Sequence, residues 1–394
     1  MPREALILTG VRTPFGKFMG GLSNLSAIQL AAHVTKHALQ KADISPSEVE
    51  HVIFGNVLQT SSDAIYLARH AGLYAGVPVH VPALTVNRLC GSGLEAIVQG
   101  ARLVQTGEAD LVVAGGAENM TQAPFMIRGA RFGLRLGSAK LEDYLWEALL
   151  DPYCNFTMAG TANNLAEKYG ISREEQDEFA LRSHQRAVRA MQSGYFKEEI
   201  APIEIDQKGK KVLLDTDEHP RADTTLEGLA KLPLAPFPGN KYVTAGNASG
   251  INDGAAAVIV ASPEKSKALG IKPWARVVSW AQCGVEPKYM GIGPVPASQR
   301  ALERAKLSMK DIALWEINEA FAAQYLAVER ELKLDRERVN VNGGAIALGH
   351  PLGASGARLA LTLIHELRRR KAQFGVASLC IGGGQGIAAV FEAL

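Results

Sequence analysis

Short apolar segments alternate with helix-like patterns along most of this chain, and that alternation limits the folds open to it. The apolar segments of the first third lie at 5–9, 52–54, 84–86 and 110–114. The residues between them repeat apolar side chains with the period of a helix, at 26–41, 64–75 and 90–107. Strands that alternate with helices predict an α/β fold with buried, largely parallel strands.

The segment 123–247 interrupts this pattern. It is more charged than its surroundings, contains amphipathic patterns at 163–169 and 173–193, and includes a proline- and charge-rich stretch at 206–240. We interpret it as an inserted domain that covers a site on the core.

A faint internal repeat predicts that the core has two similar halves. Segment 43–56 resembles 306–318, since each has a polar turn, a short helix, an apolar strand and then an asparagine. Cys90 follows Asn56 by 34 residues, and His350 follows Asn318 by 32. Two such halves would place their loops at a shared seam.

The length supports the same division. A chain of 394 residues exceeds the size at which one core usually stops growing. We therefore predict an N-terminal half at 1–122, completed by 248–272, an inserted domain at 123–247, and a C-terminal half at 273–394.

The composition is that of an ordinary globular protein and disfavours several classes. The formal net charge of +2 is too small to favour nucleic acid or a membrane surface as a partner. The longest apolar stretch, 255–261, is far shorter than the roughly 20 residues of a membrane-spanning helix. Four cysteines without a C-x-x-C pair argue against a disulfide framework and a zinc site. Because the first residues show no secretory pattern, we expect a reduced, cytoplasmic location.

Cys90 stands where an apolar strand gives way to a helical pattern, with Asn87 before it and Gly91 and Gly93 after it. The N–H groups and the dipole of a helix N-terminus favour an anion, so we expect the pKa of this thiol to be lowered. The glycines would let a substrate approach the backbone closely. The alternative is a buried structural cysteine.

Two further loops carry reactive side chains among glycines. His350 lies in a glycine-dense loop before a strong helical pattern, where it could take a proton from a thiol. Cys380 ends an apolar strand and precedes a run of glycines whose N–H groups could bind an oxyanion. The alternatives are a surface-turn histidine and a packed cysteine beside a turn.

Asn318 ends a short strand and precedes a helical pattern. It could orient a water or bind a substrate carbonyl oxygen, although capping of the helix would also explain it. Cys154 and Cys283 lack comparable surroundings, and we interpret them as structural.

Together these segments, in this order, resemble the thiolase family. The shared motifs are N-x-x-C-x-S-G at 87–93, N-E-A-F at 318–321, G-G-A-I-A-L-G-H-P-x-G-x-S-G at 343–356 and C-x-G-G-G at 380–384. The resemblance runs nearly from end to end. It implies a thiolase-like fold, in which two pseudo-symmetric α/β halves form a layered αβαβα core with an inserted loop domain over the site for coenzyme A (CoA).

The resemblance also implies a division of chemical roles. Cys90 would attack a 3-ketoacyl-CoA, His350 would activate the thiol, and Cys380 would protonate the departing acetyl-CoA enolate. His350 and a water on Asn318 would form one oxyanion hole, and the N–H groups of Cys90 and Gly382 would form the other. Acyl-CoA and CoA would be substrates, and no metal or redox cofactor is implied.

Contacts to CoA are implied by motif position. The residues at the family's CoA and substrate positions are Arg221, Thr224, Ser249, Phe237, Phe321 and Met158. The nearby lysines Lys208, Lys210 and Lys211 are interpreted as a solvated face.

Within the family, the segments 55–70 and 290–297 are most similar to 3-ketoacyl-CoA thiolases of the mitochondrial fatty-acid-oxidation type. Thr157 and Asn163 stand where short-chain biosynthetic thiolases have His and Glu, which disfavours a preference for acetoacetyl-CoA. The alternatives are a biosynthetic acetyl-CoA acetyltransferase, a decarboxylating ketoacyl synthase, and a non-catalytic thiolase-like protein that binds CoA or lipid. The resemblance also implies a homotetramer built from two dimers.

Overall fold

The computed structural model describes residues 3–207 and 209–394. The strands are β1 Leu6–Arg12, β2 Gly16–Lys17, β3 His51–Gly55, β4 Ala83–Val86, β5 Leu111–Asn119, β6 Phe125–Met126, β7 Glu142–Asp143, β8 Leu150–Asp151, β9 Phe156–Thr157, β10 Ile203–Gln207, β11 Lys210–Leu214, β12 Asn252–Ala261, β13 Ala275–Gly284, β14 Ile312–Ile317, β15 Phe374–Ile381 and β16 Gln385–Ala393. The α-helices are α1 Ala27–Lys41, α2 Leu67–Tyr74, α3 Ser92–Thr106, α4 Tyr144–Ala148, α5 Met158–Tyr169, α6 Arg173–Gln192, α7 Leu226–Ala230, α8 Pro263–Ala268, α9 Pro294–Ala305, α10 Ala322–Leu332, α11 Ala345–Leu348 and α12 Leu352–Arg370.

The predicted helices of the first third are confirmed to within a few residues. Helix α1 begins after Ser26, whose side chain accepts a hydrogen bond from the Gln29 N–H while the Gln29 side chain bonds back. Helix α3 ends at Gly107, which adopts the left-handed conformation that glycine tolerates. Helix α2 is shorter than predicted because a 3₁₀ turn, Ala64–Tyr66, precedes it.

The main strands form a mixed sheet in the order β14, β15, β16, β13, β1, β12, β5, β3, β4. Pairing is parallel for β3 with β4, β3 with β5, and β14 with β15, and antiparallel for the other strands of this order. The prediction of largely parallel strands is therefore wrong. Strand β12 returns from the insertion and pairs antiparallel with both β1 and β5, and a fully buried apolar strand does not encode its direction.

The sheet divides into two halves that meet at a narrow join. Strands β1 and β13 pair at only two positions, Leu6 with Arg276 and Ile7 with Ala275. Strands β1, β12, β5, β3 and β4 lie on one side of this join, and β13, β16, β15 and β14 lie on the other.

Three helical layers enclose these two half-sheets. Helices α3 and α12 lie between them, since their side chains share one core cluster with both Val258 of β12 and Phe391 of β16. Helices α1 and α2 cover the outer face of the first half-sheet, and α9 and α10 cover the outer face of the second. The predicted αβαβα layering is thus confirmed. Helix α12 is buried on all sides from Leu352 to Leu367, as a central helix must be.

The inserted segment is attached to the core by a buried ionic cluster. Arg12 of β1 donates to Glu199 at 2.7 Å and to the two carboxylate oxygens of Asp217 at 2.6 and 2.8 Å. All three side chains are buried. Helices α5 and α6 also pack on the second half, through Leu165 and Phe179. None of the helices in the described ranges is both long and apolar enough to cross a membrane.

Candidate active site

A cavity of about 420 Å³ opens between the two halves, beneath the inserted segment. Its walls come from both half-sheets, from the loops before α3 and α12, and from the insertion. The residues predicted from the sequence that line it are Cys90, His350, Cys380, Gly382, Ser249, Phe237, Phe321 and Met158.

The turn that carries Cys90 is locked by side-chain hydrogen bonds. The Asn87 side chain accepts from the Leu89 N–H at 2.9 Å, and the Ser92 hydroxyl accepts from the Arg88 N–H at 2.8 Å. Leu89 has a φ of 46°, a strained value for a branched residue. These contacts explain why Asn and Ser flank the cysteine, since they hold a backbone that would otherwise relax.

Burial dominates the electrostatics of Cys90. Its sulfur lies within hydrogen-bonding reach of the N–H groups of Gly382 and of Cys90 itself, which favour the thiolate. Burial nevertheless raises the pKa of the thiol to about 11, and the nearby Glu118 carboxylate adds to that increase. The expectation of a lowered pKa is therefore wrong, because a helix N-terminus does not offset the loss of water around this sulfur.

His350 is held in one tautomer. Its Nδ1 lies 2.6 Å from the Ser355 hydroxyl, and that hydroxyl donates its own hydrogen to the Pro351 carbonyl oxygen at 2.9 Å. The Ser355 oxygen can therefore only accept, so Nδ1 carries the proton and Nε2 presents a lone pair. Asn318 donates to Nε2 from its side-chain nitrogen at 3.3 Å.

The surroundings of His350 keep it neutral. Burial lowers its pKa to about 3, and the Arg358 charge acts in the same direction. Its backbone N–H donates to the Asn252 side chain at 3.3 Å. The structure thus places a neutral imidazole, with its basic nitrogen unprotonated, in the same cavity as the Cys90 thiol.

Cys380 is the second sulfur of the cavity. It lies fully buried near the end of β15, and burial together with the nearby Cys90 raises its pKa well above the usual value. Gly383 and Gly384 follow with φ of 77° and 82°, and they return the chain into β16. A neutral thiol is a proton donor, and a buried one keeps its proton until a stronger base reaches it.

Asn318 is positioned by the sheet. Its backbone N–H donates to the Ser378 carbonyl oxygen at 2.9 Å and continues the pairing of β14 with β15. Its side-chain oxygen is buried and has no hydrogen-bond partner among the described residues. Asn318 is not on the cavity wall, and its side chain is linked to the site through His350.

Of the six residues predicted to contact CoA or substrate, four line the cavity and two lie outside its wall. The Ser249 N–H donates to Ala320, next to Phe321, at 2.9 Å, which fixes both residues at the cavity wall. Arg221 lies outside that wall, on an exposed loop where its N–H donates to Nδ1 of His184 at 3.2 Å. Thr224 donates to the Arg221 carbonyl at 3.1 Å and also lies outside the wall.

The other side chains singled out in the sequence lie away from the cavity. Lys210 and Lys211 are exposed on β11, and Lys208 lies outside the described residues. Cys154 and Cys283 are partly exposed. Within residues 3–207 and 209–394, no group of three His, Cys, Asp or Glu side chains is placed to hold a metal ion.

Two structural roles escaped the sequence analysis. Ser355 lies within the motif around His350, but nothing in the sequence shows that it selects the tautomer. Glu118 is the penultimate residue of the apolar strand β5 and is fully buried, where it accepts four N–H groups. An acidic residue directly after a buried strand is a signal that could have indicated it.

Two family models together match almost the whole chain. The family model described as "Thiolase, N-terminal domain" matches residues 5–264, and "Thiolase, C-terminal domain" matches 271–393. The chain is 54% identical over 391 residues to a mitochondrial 3-ketoacyl-CoA thiolase of Homo sapiens, covering 99% of this chain and 98% of the relative. It is 52% identical over 388 residues to an acetyl-CoA acetyltransferase of Pseudomonas aeruginosa, covering 98% of each.

A solved structure agrees with the sequence comparison. The crystal structure of human mitochondrial 3-ketoacyl-CoA thiolase in complex with CoA superposes with a TM-score of 0.96 at 53% identity. The match covers 100% of this chain and 98% of that one. Fold and sequence therefore point to the same family.

The comparisons overturn the expected location. The human, bovine and mouse relatives are all named as mitochondrial enzymes, at 50% to 54% identity. The prediction of a cytoplasmic location, which relied on the lack of a secretory pattern, is therefore wrong. The mitochondrial location is that of these relatives, and bacterial relatives are close as well.

The charge state of Cys90 generates a prediction. Because its pKa is raised to about 11 and that of His350 is lowered to about 3, the resting pair is expected to be a neutral thiol and a neutral imidazole near pH 7. The rate of Cys90 alkylation by iodoacetamide should then rise about tenfold per pH unit from pH 7 to 10. Peptide mass spectrometry would assign the label, with Cys90→Ser as the background. A rate that stays constant from pH 7 to 10 would instead indicate a preformed thiolate–imidazolium pair.

Proposed function

This chain belongs to the thiolase family, and we propose that it is a 3-ketoacyl-CoA thiolase that acts through a thioester on Cys90. The reaction cleaves a 3-ketoacyl-CoA with CoA to give acetyl-CoA and an acyl-CoA two carbons shorter, as in fatty acid β-oxidation. The observation that carries the proposal is the meeting of Cys90, His350 and Cys380 on the walls of one buried cavity.

The first step is attack of the Cys90 sulfur on the 3-keto carbon. Nε2 of His350 gives up its hydrogen bond from Asn318 and takes the thiol proton as the carbon–sulfur bond forms, and the keto oxygen becomes an oxyanion. The hydrogen bond from Nδ1 to Ser355 orients the ring throughout and stabilises the imidazolium. Because both groups are neutral at rest, the proton moves only when the substrate is in place.

The second step breaks the bond between the second and third carbons. Its electron pair leaves with the acetyl-CoA fragment as an enolate, and Cys380 gives that carbon its proton. The acyl group stays on Cys90 as a thioester. The thiol of free CoA then gives its proton to the Cys380 thiolate and attacks the thioester carbon. The bond to the Cys90 sulfur breaks, that sulfur regains its proton from His350, and the shortened acyl-CoA is released.

Two sets of donors would stabilise the oxyanions of these steps. The N–H groups of Cys90 and Gly382 both lie within reach of the reacting sulfur, which supports one oxyanion hole there. The protonated His350 and a water held by Asn318 would form the other, supported by the unpaired side-chain oxygen of Asn318. Preorganised donors of this kind are worth about 10² to 10³ in rate.

CoA is a substrate in this proposal, and the protein needs no further cofactor. The related human enzyme has been solved with CoA bound. Ser249, Phe237, Phe321 and Met158 on the cavity wall suit the pantetheine and acyl groups, and Arg221 and Thr224 on the exposed loop suit the nucleotide end.

In the proposed domain division, the insertion forms part of the active-site wall. We retain the N-terminal half at 1–122 with 248–272, the C-terminal half at 273–394, and the inserted domain at 123–247. Trp146, Met158 and Phe237, all from the insertion, line the cavity that contains Cys90. The insertion would thereby exclude water from the thioester and shape the acyl pocket.

A biosynthetic acetyl-CoA acetyltransferase is the second candidate, favoured by the similarity to the relative from Pseudomonas aeruginosa. Thr157 on the cavity wall argues against it, because short-chain enzymes have histidine there. The apolar wall formed by Trp146, Leu149 and Leu150 also suits a longer acyl chain. A non-catalytic role is disfavoured because all three reactive side chains are present in one site.

Chain-length dependence tests the proposal. We expect steady-state thiolysis of 3-ketoacyl-CoAs of four to sixteen carbons to show a higher kcat/KM for at least one substrate longer than four carbons. The measurement follows loss of the 3-ketoacyl-CoA absorbance at fixed CoA. Activity confined to acetoacetyl-CoA would favour the acetyltransferase, and the absence of thiolysis with every substrate would refute both candidates.

The different roles of the two cysteines, Cys90 as nucleophile and Cys380 as proton donor, can be tested separately. Cys380→Ser replaces the thiol with a much weaker acid, so thiolysis should fall about 10²- to 10⁴-fold. Acyl exchange between a simple acyl-CoA and CoA needs no carbanion and should be retained, with the acyl group found on Cys90 by mass spectrometry. Cys90→Ser is the matched control and should lose both reactions. Equal loss of exchange and thiolysis in Cys380→Ser would mean that Cys380 is not a dedicated proton donor.

We also propose a homotetramer built from two dimers. The stretch 123–158 exposes several large apolar side chains, including Phe132, Leu134 and Leu136. A loop of this kind suits contact with a second copy of the chain.

Light scattering tests the assembly. We expect the mass of four chains for the native protein and that of two for Leu136→Asp, because a charge at this contact opposes its burial. Leu213→Asp, at an exposed apolar side chain on β11, is the matched control and should stay tetrameric. A native protein that is monomeric at micromolar concentration would refute the proposal.

A further inference from the structure

Glu118 is a fully buried carboxylate that the proposed chemistry does not use. It lies at the end of β5, and its two oxygens share four N–H donors. One oxygen accepts from the Asn56 side chain at 2.9 Å and the Leu58 backbone at 3.0 Å. The other accepts from the Val57 backbone at 3.0 Å and the Gly353 backbone at 2.9 Å. Burial raises the pKa of this carboxyl to about 8, and nearby Asp253 acts in the same direction, although the four hydrogen-bonded neighbours are all donors that favour the ionised form.

Three of these four donors belong to the segment 56–58, which leads to the nucleophile. The Val57 carbonyl accepts from the Asn87 side chain at 3.3 Å, and the same side chain caps the Leu89 N–H. Leu89 is the residue before Cys90 and holds a strained φ. Glu118 is thereby connected to the Cys90 turn through one backbone segment and one side chain.

The fourth donor, the Gly353 N–H, leads to the base. Gly353 follows His350 by three residues, in the first turn of α12. A side chain at Gly353 would collide with the carbonyl oxygens of Gly55 and Ala117, each 2.8 Å from its Cβ position, so this turn presses directly on the first half-sheet. At the same contact, Glu118 accepts a hydrogen bond from the Gly353 N–H.

The strand register shows which residue of the second half is equivalent to Glu118. Gly55, the last residue of β3, pairs with Gly116, and Glu118 follows two residues later. Ile317, the last residue of β14, pairs with Ser378, and Cys380 follows two residues later. Glu118 therefore occupies in the first half the position that Cys380 occupies in the second.

We propose that Glu118 is a positioning residue for thiolysis, which ties the Cys90 turn to the His350 loop so that the sulfur and the imidazole keep their relative placement. This role rests on the proposed function. It assigns equivalent positions of the two halves to different tasks, with a fixed carboxylate in one and a proton donor in the other.

The charge of Glu118 adds an effect that a purely structural residue would lack. Above its own raised pKa of about 8, the ionised Glu118 raises the pKa of the Cys90 thiol. The other acidic group near Glu118 is Asp253 of β12, which is bound by Thr121 and remains in place in the variants below. Removal of the Glu118 charge should thus ease Cys90 ionisation while it disturbs catalysis.

The test compares Glu118→Gln with a buried carboxylate elsewhere. Glutamine keeps the volume but turns an NH₂ group toward two N–H donors, so kcat for thiolysis should fall about 100-fold, as expected for a displacement of about 1 Å between reacting groups. The KM for CoA should change less than about threefold, because Glu118 is not part of the cavity wall. Alkylation of Cys90 by iodoacetamide at pH 9 should become faster.

Glu199→Gln is the matched control. Glu199 is also buried and accepts from Arg12 and Thr362, away from the cavity. This variant should lower the melting temperature and leave both kcat per folded chain and Cys90 alkylation unchanged. Equal kcat losses in the two variants, or slower alkylation in Glu118→Gln, would overturn the proposal.

A second variant keeps the proposal testable if Glu118→Gln is poorly folded. Asn87→Ala breaks the same connection one step closer to Cys90, and its kcat loss should be about tenfold. If the two residues act through one route, the double variant should lose much less than the product of the single losses. A multiplicative loss would refute the connection. Native protein that shows no thiolysis at all would refute the proposed function itself, which distinguishes the two failures.

Discussion

The site depends on how closely helices α3 and α12 approach each other at their N-terminal ends. A Cβ on Gly93 of α3 would lie 2.6 Å from the Gly353 carbonyl oxygen, and one on Gly356 of α12 would collide with the Leu94 backbone. Both helices start directly after a reactive residue, Cys90 in one case and His350 in the other. Close packing of these two helices in the central layer therefore fixes the separation of Cys90 and His350. The half-sheets on either side fix how the two helices are oriented.

The same burial sets the charge state of the site. Cys380 and His350 are buried and Cys90 is half-buried at the cavity wall, and each is more stable in its neutral form. A neutral pair avoids a standing ion pair in a low-dielectric cavity. The N–H groups of Gly382 and Cys90 act on charge that appears only during attack, and preorganised donors are most effective under those conditions.

Much of this arrangement could be predicted from the sequence because the signals are local. The apolar runs and helical periods give the α/β class, and a cysteine or histidine among glycines at a strand end is visible in the letters alone. Strand direction was mispredicted because β12 is apolar in every position and pairs across an insertion of more than a hundred residues. The pKa of Cys90 was mispredicted because helix dipoles can be inferred from sequence, whereas burial by the opposite half and by the insertion cannot.

The roles of Ser355 and Glu118 show a further limit. Each is defined by partners brought together by the fold, such as Gly353, which lies 235 residues from Glu118 in the chain. The repeat of 43–56 and 306–318 predicts two similar halves, but not that the chemistry differs at equivalent positions. With only one proton to deliver to the carbanion, a second thiol at the first-half position would be redundant, whereas a carboxylate there can accept four N–H groups at the seam. The two equivalent positions, Glu118 and Cys380, thus differ because the reaction needs one proton donor and the contact between the halves needs one hydrogen-bond acceptor.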